Sequence, residues 1–489
     1  MKNRLNKYYK YFLVIILILF PLFGKLDKIP VQLWDESRLA INALEMFENG
    51  NLLVTYYKGE PDFWNTKPPL MIWFQSLNFH LFGVNEFSLR LPSAIAALLT
   101  AIFLLFFAHY YLRNSFFGIV AVLVLITSSG YVSIHGTRTG DYDSLLTLFT
   151  TVSSLSFFIF CECDEKRWLY LFFISTALAV LTKSVSGLLF LPAIFLYAII
   201  RKKVVTLLKN RDFYIGFALF LLLTSGYYIS REIVTPGYIQ CVIDNEWGGR
   251  YLQSLEGHRH PFWYYFKQFS SYRFIPWLFI LPFGIISGFI VKDSKIRRLT
   301  LFSLLLSVFY LLIISFSQTK ISWYDLPVYP FLALLTAPLF IYIYHLLLKI
   351  KWNNRILIEK LIPFLLIILF FTFPYVNSIK NSFTPMAWRY KKHSNELPYY
   401  LQQACRGKND VHNQLLLEEG YFPNVDFYLY MLKNKGVNID RISKNELEEN
   451  QKVIVIDEKL KNFVERNYHF TLINQHNNIV IYQISDWKE

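Results

Sequence analysis

Long apolar runs alternate with short polar stretches over most of the chain. Segments near residues 11–23, 89–112, 116–135, 143–162, 168–183, 186–200, 213–230, 273–291, 299–316, 326–347 and 357–375 carry almost no charge. Most approach the 18 or so residues needed to cross a hydrocarbon core of roughly 30 Å. The runs are continuous rather than alternating, which excludes a β-barrel. The pattern predicts an all-α polytopic membrane protein with about eleven transmembrane helices. Lys2, Arg4, Lys7 and Lys10 precede the first run, as in a signal peptide. No small-residue cleavage site follows, so the run reads as a retained helix.

The loops set the orientation. Every second one is basic: Arg113; Lys166 and Arg167; Arg201, Lys202, Lys203, Lys209 and Arg211; Lys292, Lys295, Arg297 and Arg298; Lys349, Lys351 and Arg355. These loops, with the N-terminus, are expected in the cytoplasm. The opposite loops hold the unusual polar residues. The largest, Pro30–Ser88, has a net charge of −4. Within it, Leu39, Ala43, Met46 and Phe47 recur at helical spacing, and Leu70–Phe82 is apolar but too short to span. Both read as interfacial helices, and packing against the bundle is equally compatible.

An odd number of spans puts the tail outside. The division expected is a transmembrane domain over 1–376 and a small extracytoplasmic α/β domain over 377–489. Lys452–Asp457 reads as a buried strand, and His469–Ile473 and Ile479–Ser485 as a hairpin around Asn474–Asn478. Leu415–Lys435 and Glu446–Asn450 suggest helices. The tail shows no catalytic motif.

Composition agrees. Charged residues make up 17% of the 489 residues and hydrophobic ones 54%, against about 25% charged in soluble proteins. The net charge of +14 gathers in the basic loops, so it speaks for topology and not for nucleic acid. Of four cysteines, Cys161 and Cys163 fall beside a cytoplasmic loop. Cys241 and Cys405 fall on the oxidising side and are candidates for a disulfide.

Ionisable residues at membrane level are functional candidates by default. Asp35 and Glu36 open the first outer helix, either as chemical carboxylates or as an acid pair favouring the helix dipole. Lys67 precedes two prolines that hold it in place. It suits a phosphate or a lipid headgroup. In Arg138-Thr-Gly-Asp141-Tyr-Asp143 the carboxylates either hold Arg138 or help bind a cation. Arg250 suits a phosphate clamp, and His258 and His260 are potential metal ligands. Lys320 and Tyr324, four apart, stand to share a helix face. No GxGxxG or GxxxxGK[ST] is present, which argues against a nucleotide substrate.

Read together, WDESRLAINALEMFENGNLLV, FWNTKPPLMIW, LFGVNEFSLRLPSA, RTGDYD, LTKSVSGLLFLP, HRHPFWYY and SQTKISWYDLPVYP resemble the GT-C membrane glycosyltransferases. That superfamily includes protein O-mannosyltransferases and lipid A aminoarabinose transferases. The resemblance implies transfer of a sugar from a polyisoprenyl (undecaprenyl) phosphate on the outer face of a bacterial inner membrane. It implies Asp35 as catalytic carboxylate, with Lys67, Arg250, Lys320 and Tyr324 around the donor phosphate. Glu36, Arg138, Asp141, Asp143 and His258 would support them, with a divalent cation possible. Lipid A or another envelope glycolipid is the first acceptor it suggests, and a protein the second. Thr66 stands where the aminoarabinose transferases tend to have an acid, and Trp247 where relatives often have His. Both departures weaken the expectation of a metal and of lipid A in particular. A transporter of lipid-linked sugars would place its polar residues near mid-membrane in repeated, broken helices, a pattern this chain lacks. A non-catalytic envelope assembly protein, its tail binding a partner, is the third reading.

Overall fold

The structure is a computed structural model and describes residues 2–249, 251, 257–350, 355–383 and 395–488. Backbone groups in lipid must bond within their own segment, and the apolar runs accordingly form helices. In order these begin α1 (Lys2–Phe23), α2 (Asp35–Asn49), α3 (Leu70–Phe82), α4 (Glu86–Phe106), α5 (Ser115–Ile126), α6 (Asp143–Cys163) and α7 (Lys166–Lys183). Leu191–Ile200, Arg211–Val234, Trp277–Ile290, Ser294–Phe316, Tyr329–Leu347 and Arg355–Phe383 are the principal later helices of the membrane part.

Among the described residues, seven helical segments are long and apolar enough to cross a membrane. An eighth is added when Tyr264–Arg273 and Trp277–Ile290, bent by 109°, count as one span. The protein is therefore a multi-pass membrane protein. The eleven apolar segments of the sequence divide into these and three shorter apolar helices, Tyr11–Phe23, Ser115–Ile126 and Leu191–Ile200. Ten of the twelve residues of α5 are buried inside the bundle. Hydropathy alone does not separate a buried helix from a span.

The two helices between Pro30 and Ser88, α2 and α3, differ. α3 turns Phe74, Leu77, Leu81 and Phe82 outward, an apolar stripe suited to the membrane interface. α2 does not lie on lipid. Its Leu39, Ala40, Ala43, Leu44 and Met46 are buried and share a hydrophobic core with α3 and the C-terminal unit. Gly50, in the left-handed region at φ 68°, ends α2.

The helix that begins at Arg355 carries the chain past residue 376 to Phe383. The C-terminal unit is built on β3 (Leu415–Leu417), β4 (Arg441–Ile442), β5 (Lys452–Val455), β6 (Tyr468–His476) and β7 (Ile479–Trp487); the short strands β1 (Tyr56–Tyr57) and β2 (Glu60–Pro61) form a separate ribbon between α2 and α3. The order is β4-β3-β5-β7-β6, with the first three strands parallel and β7 antiparallel to both neighbours. The expected buried strand and hairpin are β5, β6 and β7. The helix expected over Leu415–Lys435 is instead β3 followed by a helix over Pro423–Lys433. The three-leucine run is buried in the sheet, and Pro423 marks the true helix start. Glu446–Asn450 is not a helix; a short 3-10 turn covers Lys444–Glu446.

Alternation along the strands serves two cores. Leu416, Ile454 and Ile481 face the core that continues through the Glu396–Cys405 and Pro423–Lys433 helices into α2 and α3. Leu417, Val453, Val455, Val480 and Tyr482 face the Glu458–Asn467 helix. The unit is pinned to the loop by Tyr428, whose hydroxyl accepts from the Val31 amide (2.9 Å) and donates to Glu86 (2.9 Å). All four cysteines are free. The anticipated Cys241–Cys405 disulfide is absent, and Cys405 is packed in the core beside the Tyr428 carbonyl.

Glu418 carries a pH dependence. Burial, offset in part by Arg441 at 3.0 Å, pushes its carboxyl up to about 7. The folded state then keeps a proton that the unfolded state releases from about pH 4.5 upward. Stability is expected to fall by roughly 1–3 kcal/mol as pH rises from 4.5 through 7, and to level off above. Melting at pH 5 and pH 8 tests this, and Glu418→Gln should flatten the difference.

Candidate functional site

The N-terminal ends of α4 and α6 and the C-terminal end of α7 meet the start of α2 at a buried polar centre. Its anchor is Glu36. Arg90 of α4 donates to both its oxygens (2.6 and 2.9 Å), and the amides of Gln32 (2.8 Å) and Gly140 (2.9 Å) complete the shell. Arg90 also donates to the carbonyls of Leu26, Ile29 and Pro30. Neither partner of this ion pair is exposed. One carboxylate thus ties the N-terminus of α2 to the 138–141 turn, bringing Asp35 to Asp141. A Cβ at Gly140 would lie 2.8 Å from the Gln75 side-chain amide and 3.0 Å from Leu89, so a larger residue there would have to displace both. Glu36→Gln should leave the Arg90 charge uncompensated and cost about 3–5 kcal/mol. Thermal melting in detergent checks this.

Around that anchor lie three carboxylates and several cations. Asp143 accepts from Lys183 at 2.5 Å, both buried. Asp141 accepts from the Thr139 hydroxyl and lies 3.5 Å from His135 Nδ1. His135 stacks on Trp323 with ring centroids 3.8 Å apart. Burial raises the Asp141 carboxyl, but the His135, Thr139 and Lys183 interactions outweigh it and hold it low. Asp35 completes the group: one ligand atom each from Asp35, His135 and Asp141 lie within 4.8 Å of one another. Asp141 Oδ1 is buried and has no hydrogen-bond partner among the described residues. Two carboxylates and an imidazole form a set that divalent cations such as Mn²⁺ or Zn²⁺ accept.

Next to this cluster is a cavity of about 290 Å³. Its polar lining includes Lys67, Lys183, Glu246 and Tyr324, and Val185, Leu189, Ile313 and Ile314 form its apolar walls. Lys67 is 3.5 Å from Glu246, which also accepts from Thr66 at 3.2 Å. Lys183 Nζ lies 5.1 Å from the centre of the Tyr324 ring. Two tyrosines hold the lysine-bearing turns: Tyr238 donates to the Thr66 carbonyl (2.8 Å) and Tyr228 to Ser184 (3.1 Å). Their rings stack 6.1 Å apart.

Of the residues singled out from sequence, Asp35, Glu36, Lys67, Asp141, Asp143 and Tyr324 converge here. Five others are placed differently or not described. Arg138 is not held by Asp141 or Asp143; its guanidinium donates to the carbonyls of Pro21, Leu22, Gly24, Lys25 and Ser382. It staples α1 to the final membrane helix. Lys320 donates to the Ser317 carbonyl at 2.5 Å, and Ser317 rather than Lys320 lines the cavity. The 3-10 geometry of Ser322–Val328 places Tyr324 without carrying Lys320 on the same face. His258 meets Lys320 through its backbone carbonyl (2.9 Å). His260 stacks on Tyr264, and the described metal-type cluster does not include either histidine. Arg250 lies outside the described residues. Sequence reasoning passed over Lys183 and His135. A lysine at the outer end of an apolar span was a usable signal for the first; nothing local marked the second.

Comparison with known proteins bears on this arrangement. The family model described as dolichyl-phosphate-mannose-protein mannosyltransferase matches residues 66–229. An uncharacterised protein of Aquifex aeolicus is 29% identical over 67% of this chain and 63% of its own length. An undecaprenyl phosphate-alpha-4-amino-4-deoxy-L-arabinose arabinosyl transferase of Aeromonas salmonicida is 29% identical over 67% of this chain and 59% of its own. The chain thus spans about six-tenths of the curated relatives it matches. The crystal structure of ArnT from Cupriavidus metallidurans bound to undecaprenyl phosphate superposes with a TM-score of 0.71. It is 16% identical and covers 97% of this chain and 98% of that one. The chain has the GT-C fold. The Archaeoglobus fulgidus oligosaccharyltransferase shares the GT-C fold more distantly, with a TM-score of 0.54 at 11% identity, over 99% of this chain and 74% of that one.

Proposed function

We propose that this GT-C protein transfers a sugar from undecaprenyl phosphate to an acceptor on the outer face of a bacterial inner membrane. Lipid A or another envelope glycolipid is the first acceptor expected. The observation that carries this reading is the cavity. Two buried ammonium groups, Lys67 and Lys183, stand at the polar end of an apolar-walled space beside Asp35. A polyprenyl phosphate matches both halves, its chain against Val185, Leu189, Ile313 and Ile314 and its phosphate against the lysines. The alternating basic loops support the orientation.

In the reaction an acceptor oxygen forms a bond to the anomeric carbon as the bond from that carbon to the phosphate oxygen breaks. The bonding pair leaves with the phosphate, and Lys67 and Lys183 offset the charge that grows there. Asp35 takes the proton of a hydroxyl acceptor. An acceptor that is already a phosphate needs no base, and Asp35 then orients it. Glu36 positions Asp35 through Arg90 and Gly140. The match of residues 66–229 to a protein mannosyltransferase family favours a protein hydroxyl as the second acceptor.

Asp35, His135 and Asp141 would hold a divalent cation, which would supply positive charge beside the departing phosphate. Purified protein should then carry about one equivalent of metal by mass spectrometry, lost in Asp141→Asn. Chelation should lower turnover about tenfold or more, restored by Mn²⁺. Metal-free protein with full activity would exclude this part of the reading. The function itself is tested by incubating purified protein with undecaprenyl-phosphate sugars and lipid A or serine/threonine peptides. Sugar appearing on either acceptor supports it. Vesicle translocation of the donor without transfer would replace it with a transporter.

A further inference from the structure

Close to Asp35, aromatic rings gather around one arginine. Trp34 is 53% exposed and Trp64 42%, large apolar side chains left open next to the candidate base. Trp34 adopts φ 77° immediately before Asp35, a conformation that costs a non-glycine residue energy. Its ring meets Tyr421 of the C-terminal unit, centroids 5.4 Å apart. Gly420, at φ +130°, is what lets the chain present Tyr421 there. Arg38 sits among the rings, 3.5 Å from the centre of Tyr57, 5.2 Å from Trp64 and 6.0 Å from Tyr421. Asp62 fixes it with two hydrogen bonds of 2.7 Å. Burial raises the Asp62 carboxyl, yet Arg38 holds it below the usual range. Asp35 acts electrostatically on both Lys183 and Tyr421, so it lies near both the donor cavity and these rings.

We infer that Trp34, Trp64 and Tyr421 form an acceptor subsite that stacks a saccharide ring beside Asp35. The inference rests on the transfer reading above and assigns the C-terminal unit a part in it. Aromatic faces carry partial negative charge and favour the C–H edges of a sugar. A binding site pairs such faces with a few fixed polar groups. The Arg38 guanidinium, held in place by Asp62, and the Tyr421 hydroxyl supply these, and a lipid chain would not call for them. Tyr421 belongs to the sheet-bearing unit and not to a membrane helix, which separates this group from an interfacial anchor belt.

The test uses full-length protein in detergent. Trp64→Ala and Tyr421→Ala should each raise KM for lipid A about three- to tenfold, leave the donor KM within about twofold, and leave melting unchanged. Independently, a water-soluble hexosamine oligosaccharide should quench tryptophan fluorescence saturably in wild type, and less so in both variants. Quenching without transfer would retain the subsite and reject the transfer reading. Transfer with an unchanged acceptor KM, equal rises in both KM values, or no saturable quenching would overturn the subsite.

Discussion

Asp35→Asn should lower kcat for sugar transfer to a hydroxyl acceptor by about 10²–10⁴-fold, the range a positioned general base supplies. Its fold should survive. The Asp35 carboxylate makes no hydrogen bond or ion pair among the described residues, and the α2 start is held by Glu36, Arg90 and Gln32 instead. Losing one charge at the helix N-terminus costs about 0.3–1 kcal/mol. The size of the effect also reports on the acceptor. A phosphate acceptor requires no deprotonation, so the loss would shrink to what orientation contributes. Steady-state transfer rates with a parallel melting curve decide it. Full activity in a folded Asp35→Asn protein would remove Asp35 from the chemistry.

The second large effect is expected at Lys183. Taking one fixed cation from beside a departing phosphate costs about 10²–10³-fold in turnover. Lys183→Gln should show that loss, but it also strands the Asp143 carboxylate in a buried site. Breaking such a pair from one side costs about 3–5 kcal/mol. The combined variant Lys183→Gln, Asp143→Asn removes both charges and should regain most of the stability. It should not regain turnover. Recovery of activity along with stability would make the pair purely structural, and Lys67 would then be left as the lysine facing the donor. Donor concentration series on the two variants separate these outcomes.

The extended reach of Lys183 illustrates what a linear chain conceals. Its motif, LTKSVSGLLFLP, was visible, yet the lysine becomes meaningful only because α7 ends beside Asp143 of α6 and opposite Tyr324. His135 is a stronger case. It joins Asp141 and Asp35 through a turn in which His135 itself takes φ 60°, and no spacing rule anticipates that. Arg138 shows the reverse error. Two nearby carboxylates in sequence suggested a salt bridge, but the guanidinium satisfies five carbonyls across α1 and the final membrane helix.

Some features followed from sequence alone because they depend on local composition. Apolar run length selects membrane helices, since backbone groups in lipid have no outside partner. A short apolar run marks β5, and a polar turn between two strand-like stretches marks β6 and β7. The acidic outer loop with Asp35, Glu36 and Lys67 stood out because charge at the membrane surface is costly. Tertiary structure decided the rest. It buried α2 between α3 and the C-terminal unit, left Cys405 too deeply packed in a core for the expected pairing, and set Tyr421 beside Trp34 across almost 400 residues of chain. Those outcomes depend on long-range packing of side chains whose neighbours in space are not neighbours in sequence.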